Sequence, residues 1–348
     1  MRTTVTAPRV GMLCVHADER LAPLIFTHCA PSARLSDGLF YCRQLTVTPS
    51  RTPRKHMLRI ALPNKGRLSE DTRGLFNDAG LEVRSSEQRS LTASLGGEFE
   101  AIFVRAQDIP EFVADGAADV GVTGWDLVNE SERSLVSQLD LGFGRCRLVV
   151  AAKADAGINS IDEIGTPSQP ARVATVFPRI AARFFAERGR AVTIVPVSGA
   201  AEIAPHLGIA DVVVDLTSTG STLRVNGLRE VETIMPSSAH LITATAGPRD
   251  GDTMGRTALD ELVTALASVI RARGQRYLMA NVPRVALDAV RTVLPGLNGP
   301  TVIEIADDGA FVAVHAVVAA DTIYRTIAQL RALGAEGVLV TRIERLIP

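Results

Sequence analysis

From residue 57 onward the chain alternates two hydrophobic rhythms. Short apolar runs at 58–62, 99–104, 120–122 and 148–152 read as strands. Between them, apolar positions spaced three and four apart read as helices at 69–79, 109–114 and 125–130. Ser69 is placed to cap the first helix and Gly80 to close it. Residues 154–170, broken by Pro167 and Pro170, read as a crossover between domains. The alternation resumes with a strand at 172–174, a helix at 179–187, a strand at 193–197, a helix at 200–207 and a strand at 211–215. Strands alternating with helices of this length predict parallel α/β sheets, here two lobes with the second inserted into the first. Lobe I is expected at 57–152 and 230–258, and lobe II at 153–229. The remainder, 259–348, opens with a helix at 259–271. It continues as strand 276–282, helix 284–293, strands 301–305 and 311–317, helix 321–333 and strand 337–340. That β-α-β-β-α-β order is ferredoxin-like.

Residues 1–56 share none of this rhythm. They hold Cys14, Cys29 and Cys42, are rich in Arg, Thr, Pro and Ser, and carry only Asp18, Glu19 and Asp37 as acids. They are expected to be a disordered extension, or to precede a natural start at Met57. A transit peptide is the alternative, although no amphipathic helix is evident.

Composition narrows the function. The chain of 348 residues is 46% hydrophobic and 22% charged, as a globular protein should be. Lys plus Arg is 37 and Asp plus Glu is 38, so the net charge is −1 and no general nucleic-acid binder is indicated. No apolar run reaches the roughly 18–20 residues that cross a bilayer, so no membrane partner is expected. The cysteines show no zinc-like pairing and suit a reducing, cytoplasmic setting.

Chemistry concentrates at strand ends. After the β-branched run Val212–Val214 comes Asp215, then Thr217, Ser218, Thr219, Gly220, Ser221 and Thr222, none of them bulky. Such a loop can aim amides and hydroxyls at a phosphate, or it is an ordinary strand-to-helix connection with capping residues. It is not a Walker loop, because Gly220 is not followed by Lys and Ser or Thr. Lys65 and Arg67 flank Gly66 after the first strand, and Arg105 follows the strand ending at 104, where open α/β sheets bind ligands. Arg89 is a further candidate phosphate contact. Gly124, ahead of Trp125, Asp126 and Leu127, either lets a planar ligand approach the backbone or marks close strand packing. Glu202 and Asp215 are candidates for placing a Mg²⁺ already held by phosphates. Arg145 and Arg147 flank Cys146 and would favour its thiolate, but no His/Cys or Ser/His constellation accompanies it.

Five ordered stretches together resemble ATP phosphoribosyltransferase, the first enzyme of histidine biosynthesis, and Tyr277-Leu-Met279 with Leu294-Pro-Gly-Leu-Asn-Gly-Pro-Thr301 resemble the regulatory domain of its long form. The five are Asn64-Lys-Gly-Arg-Leu-Ser69, Asp108-Ile-Pro110, Asp119-Val-Gly-Val-Thr-Gly124, residues 139–148 and residues 208–223. The resemblance implies a two-lobed, periplasmic-binding-protein-like catalytic core with a C-terminal ferredoxin-like regulatory domain. It implies joining N1 of ATP to C1 of phosphoribosyl pyrophosphate (PRPP), with Mg²⁺ neutralising the pyrophosphate. Thr217–Thr222 would hold the 5-phosphate, with Asp215 at the ribose hydroxyls. Lys65, Arg67, Arg89 and Arg105 would face the pyrophosphate and triphosphate. Gly124, Asp126 and Leu127 would lie at the adenosine. Histidine, as feedback inhibitor, would meet Asn281, Leu297, Gly299, Thr301 and Gly337, with Gly299 standing where the family can have Ser. The resemblance implies a homohexamer or a dimer–hexamer equilibrium. Two lobes crossed twice also describe a solute-binding protein, but residues 1–56 hold no export signal core. A catalytically dead paralogue is disfavoured by the presence of Lys65, Arg67 and the whole Asp215 loop.

Overall fold

A computed structural model describes residues 57–84, 90–97, 99–247, 253–306 and 309–347. The expectations for 1–56 and for Arg89 fall outside these residues. In chain order the first lobe is β1 (Arg59–Pro63), α1 (Arg67–Asp78), β2 (Val83–Arg84), β3 (Thr92–Leu95), β4 (Phe99–Val104), α2 (Ile109–Ala114), β5 (Val120–Gly124), α3 (Trp125–Ser131) and β6 (Leu135–Asp140). The second is β7 (Cys146–Lys153), β8 (Ala171–Thr175), α4 (Pro178–Glu187), β9 (Val192–Pro196), β10 (Val212–Thr217), α5 (Ser221–Val225) and β11 (Leu228–Ser237). The chain then returns to the first lobe as β12 (Ala239–Ala244) and α6 (Thr253–Ala272).

The first sheet runs β2-β3-β4-β1-β5-β12-β6 and the second β11-β7-β10-β8-β9. The parallel pairs are the central β4, β1 and β5 in one sheet and β10, β8 and the edge strand β9 in the other. The other pairs are antiparallel, so both sheets are mixed where wholly parallel ones were expected. Val212, Val213 and Val214 of β10 are fully buried, because their strand lies mid-sheet between β7 and β8.

The lobe boundaries shift from those expected. β7 pairs with β10 and β11, so the first crossover lies between Asp140 and Cys146, not at 154–170. The return lies between Ser237 and Ala239 rather than near 230. An apolar strand such as 148–152 reads the same in either sheet, so its pattern could not assign it. The helix expected at 200–207 is a 3₁₀ turn at Ala201–Ile203. Pro205 supplies no N–H to the Ala201 carbonyl, so the helix cannot continue. α1 begins at Arg67 after Gly66 at φ 81°, so Ser69 lies buried in the first turn instead of capping it.

The third sheet follows in β13 (Gln275–Pro283), α7 (Leu287–Val293), β14 (Thr301–Glu304), β15 (Phe311–Ala319), α8 (Ile323–Ala332) and β16 (Glu336–Arg342). Its antiparallel order β14-β15-β13-β16 is the expected ferredoxin-like one. The helix before it does not belong to it. Leu259, Leu262, Leu266 and Val269 of α6 are buried in the first-lobe core with Leu75 and Phe76 of α1. No helix among the described residues is long and apolar enough to cross a membrane.

A chain ended after Arg273 is therefore expected to keep a cooperative first lobe, whereas one ended after Gly247 loses the α6 wall. Replacing Leu266 alone by Ala should cost about 2–5 kcal/mol, read as a lower denaturation midpoint by circular dichroism.

Candidate functional site

Three strand ends meet along one edge of the first sheet. Pro63 of β1 is in register with Val104 of β4, and Asn64 N donates to Val104 O at 2.8 Å. This sets the Lys65 loop beside Arg105. Gly66, in the left-handed region, turns the chain into α1 there. Lys65, Arg67 and Arg105 are all exposed. Arg67 leans toward Asp71, 3.8 Å away, while Lys65 and Arg105 have no ion-pair partner among the described residues. The third end, Gly124 of β5, leads into α3.

The hydroxyl loop leaves the carboxyl end of β10 in the second lobe. Thr217 is buried, and its Oγ1 accepts the Gly220 amide at 2.8 Å. Gly220 sits at φ 73°, and any Cβ there would approach Glu230 Oε1 to 2.8 Å. The Thr219 and Ser221 hydroxyls bond each other at 2.9 Å. Ser218, Thr219, Ser221 and Thr222 are exposed. Among the described residues the amides of Thr219 and Thr222 have no acceptor, so the loop offers donors at its rim. An open cleft of about 450 Å³ runs beside it, lined by Thr219, Gly220, Arg224, Arg229 and Glu230 among others.

Asp215 is half-buried behind the loop. Burial pushes its pKa up, the Leu216 amide draws it down, and the charge of Glu202 raises it further. The charge of Glu202 thus reaches the Asp215 carboxyl. Among the described residues no three His, Cys, Asp or Glu side chains gather into a metal cage. The pair fits a hard cation that arrives on phosphates and needs few protein ligands.

Arg147 and Glu230 escaped the sequence reading. Arg147 is in register with Thr217, and it bridges to Glu230 Oε2 at 3.0 Å behind Gly220. Only the antiparallel pairing of β7 with β10 reveals this, and the sequence shows Arg147 merely as a neighbour of Cys146. The expected activation of Cys146 does not occur. Burial pushes its thiol up and the charge of Asp126 pushes the same way, while Arg147 is engaged by Glu230.

The segment expected at adenosine is partly occupied by the protein itself. Asp126 is buried, and its carboxylate folds over Gly124 so closely that no Cβ fits there. Gly124 therefore makes room for the Asp126 carboxylate rather than for a closely packed neighbouring strand. Ser237 Oγ donates to Asp126 Oδ1 at 2.5 Å and accepts the Asp126 amide at 3.0 Å. Leu127 packs against the second-lobe core, leaving mainly backbone for a ligand.

In the third sheet the expected effector residues form two groups. Asn281 adjoins Gly337, whose Cβ position lies 3.5 Å from Asn281 Nδ2. Thr301, preceded by the Leu297–Gly299 loop, stands on β14, with β15 between it and β13. Two strand spacings, about 10 Å, part the groups within one chain.

Asp126 gives a pH signature. Burial raises its pKa, outweighing the Ser237 and backbone bonds. Its neutral form is favoured in the fold, so stability is full below the unfolded carboxyl pKa and falls as pH rises through the folded one. Asp126→Asn keeps the Ser237 acceptor without the charge. It should melt about 2–4 °C higher at pH 8, on the order of 1 kcal/mol, with the gap closing in acid by calorimetry.

A family model described as ATP phosphoribosyltransferase matches residues 105–268, and a model of that family's C-terminal domain matches 272–345. The second match begins where α6 ends, at the boundary the core places there. The ATP phosphoribosyltransferase of Gemmatimonas aurantiaca is 80% identical over 292 residues, 84% of this chain and 100% of that protein. That of Natronomonas pharaonis is 47% identical over 292 residues, again 84% of this chain and 100% of that protein. A solved HisG:HisZ complex of ATP phosphoribosyl transferase from Thermotoga maritima matches with a TM-score of 0.53 at 29% identity, covering 62% of this chain and 99% of that one. By that identity and coverage the chain belongs to the ATP phosphoribosyltransferase family, in the long form that carries the C-terminal domain.

Proposed function

We propose that the two strand-end clusters divide one reaction between them: condensation of ATP with PRPP to N1-(5-phosphoribosyl)-ATP and pyrophosphate, the first step of histidine biosynthesis. The observation that carries this reading is the pairing of a hydroxyl-lined loop on one lobe with unpaired cations on the other. Thr217–Thr222 holds the 5-phosphate through rim amides and hydroxyls. Asp215, at the base of the loop, accepts from the ribose hydroxyls. Lys65, Arg67 and Arg105 take the pyrophosphate and triphosphate oxygens, Arg in bidentate fashion. Arg89 is assigned the same role by the family pattern.

The lone pair of adenine N1 forms the bond to C1, and the C1–O electrons leave with pyrophosphate. The ring charge is relieved as the exocyclic amino group gives up a proton. No nucleophilic side chain is required, which agrees with the inert setting of Cys146. Positioning and charge placement supply the rate. Asp215 and Glu202 would hold a divalent cation that arrives with the phosphates, which we take to be Mg²⁺, and when bound it would supply charge neutralisation for the pyrophosphate. The backbone after Gly124 and the side of Asp126 are the proposed purine and ribose contacts.

We assign feedback inhibition by histidine to the third sheet, through Asn281 and Gly337 on one side and Leu297, Gly299 and Thr301 on the other. A homohexamer built partly by these domains, in the cytoplasm, completes the proposal.

An absorbance assay of ATP, PRPP and Mg²⁺, with and without histidine, tests the reading. Arg67→Ala or Thr219→Val should each lower kcat/KM about 10²-fold while leaving histidine binding intact. Near-normal turnover in both variants would reject the site. The chain ended after Arg273 should turn over without histidine sensitivity, and persistent inhibition would put the effector elsewhere.

A further inference from the structure

α4 begins without a cap of its own. Its N-cap position is Phe177, which has no side-chain acceptor, and Pro178 follows. The next two amides are satisfied from the other lobe. Glu130, on α3 of the first lobe, accepts Arg179 N on Oε1 at 2.9 Å and Ile180 N on Oε2 at 3.0 Å. Both carboxylate oxygens are thus spent on one helix N-terminus, where negative charge is favoured.

The contact is reciprocal. Arg179 Nη1 donates to the Glu130 carbonyl at 3.1 Å and to the Ser131 carbonyl at 3.0 Å. Those carbonyls belong to the last turn of α3 and lack helical partners. Each helix therefore supplies the cap that the other lacks. Glu132, at φ 56° just past α3, adds its charge beside Arg183 at 3.7 Å.

The other end of α3 is bound the same way. Trp125 N donates to Ser238 O at 2.9 Å, at the return crossover. Asp126 exchanges its two bonds with Ser237 at the end of β11. In between, Leu127 packs on the second-lobe core. A helix that belongs to the first lobe by sequence is thus fastened to the second at its start, its middle and its end.

We infer that Glu130 and Arg179 are positioning residues, which lock α3 to the second lobe so that the segment after Gly124 keeps a fixed stand-off from the Thr217–Thr222 loop. This inference rests on the proposed reaction: α3 carries the purine contacts and the loop carries the PRPP phosphate. Without the lock, α3 follows the first lobe, and the ATP subsite loses its register with the loop. Neither residue is among the proposed substrate contacts.

The test uses the full-length enzyme and two readouts. The first is steady-state kinetics of Glu130→Ala, Arg179→Met and the conservative Glu130→Gln. The alanine variant should raise KM for ATP about tenfold with kcat within about threefold, the mark of lost binding geometry rather than lost chemistry. Glu130→Gln keeps one acceptor but turns its NH2 toward the second amide, so it should recover only part of that loss. A merely structural lesion would lower the active fraction and kcat without moving KM. The second readout is hydrogen exchange at the Arg179 and Ile180 amides without substrate. Exchange should be slow in the wild type and at least about tenfold faster in Glu130→Ala. Fast exchange with unchanged KM would overturn the positioning role. Exchange as slow in the variant as in the wild type would overturn the lock itself. Arg179→Met leaves the Glu130 cap in place, so it separates the two halves of the contact should the alanine variant fold poorly. A wild-type enzyme that shows the protection but no ATP-dependent turnover would reject the proposed reaction, and with it the functional half of the inference.

Discussion

A buried carboxylate stands where the two lobes meet. Asp126 is only 5% exposed, and its hydrogen-bond partner Ser237 ends β11, the edge strand of the other lobe's sheet. An acid removed from water must keep such a partner or lose the free energy of its own solvation. The lobes therefore cannot part at this point without stranding it. Gly124 has no side chain because the carboxylate lies over it, and Trp125 and Ser238 bond backbone to backbone alongside. The strand ends of the first lobe and the loop of the second are held in relation through this small, dry junction.

Around the junction charge is sorted with some economy. Arg147 is neutralised by Glu230, which braces the loop from behind at Gly220. Lys65 and Arg105 are left without ion-pair partners among the described residues. A cation already satisfied by protein holds architecture, and one facing solvent keeps its charge for an anion. Asp140 shows the same sorting on the hinge side. Although burial opposes it, the Gly142 amide, the Ser238 hydroxyl and the charges of His240 and Arg145 hold its carboxyl below the usual range. His240 is stacked on Trp125 at 4.8 Å and is itself pushed down by burial.

Local chemistry was legible in the sequence, and pairing was not. The valine run, Asp215 and the small-residue loop announce a strand end with donors, and that is how they fold. The β-α-β-β-α-β order of the last domain is visible because turns and periods alternate cleanly there. Strands β11 and β12 escaped because each is a partner to strands remote in the chain, and the antiparallel edge strand β6 escaped with them. α6 was assigned to the wrong neighbour, since an amphipathic helix shows which face is buried but not against what. Arg147 could not be told from Arg145 until β7 lay beside β10. The split of the effector residues across β15 is likewise a matter of strand order.

The interleaved path has a consequence for how this chain is made. β12 lies between β5 and β6, and among the described residues β6 pairs with no other strand. As the chain leaves the ribosome, the first sheet must wait with an open edge until the whole second lobe has been synthesised. The second lobe holds all its strands in one unbroken stretch, from Cys146 to Ser237, and can close first. The first lobe then completes around it when β12 and α6 arrive, a long-range step of the kind that slows folding and leaves strand edges open to association. The lobe whose strands come first along the chain is thus the one that finishes later.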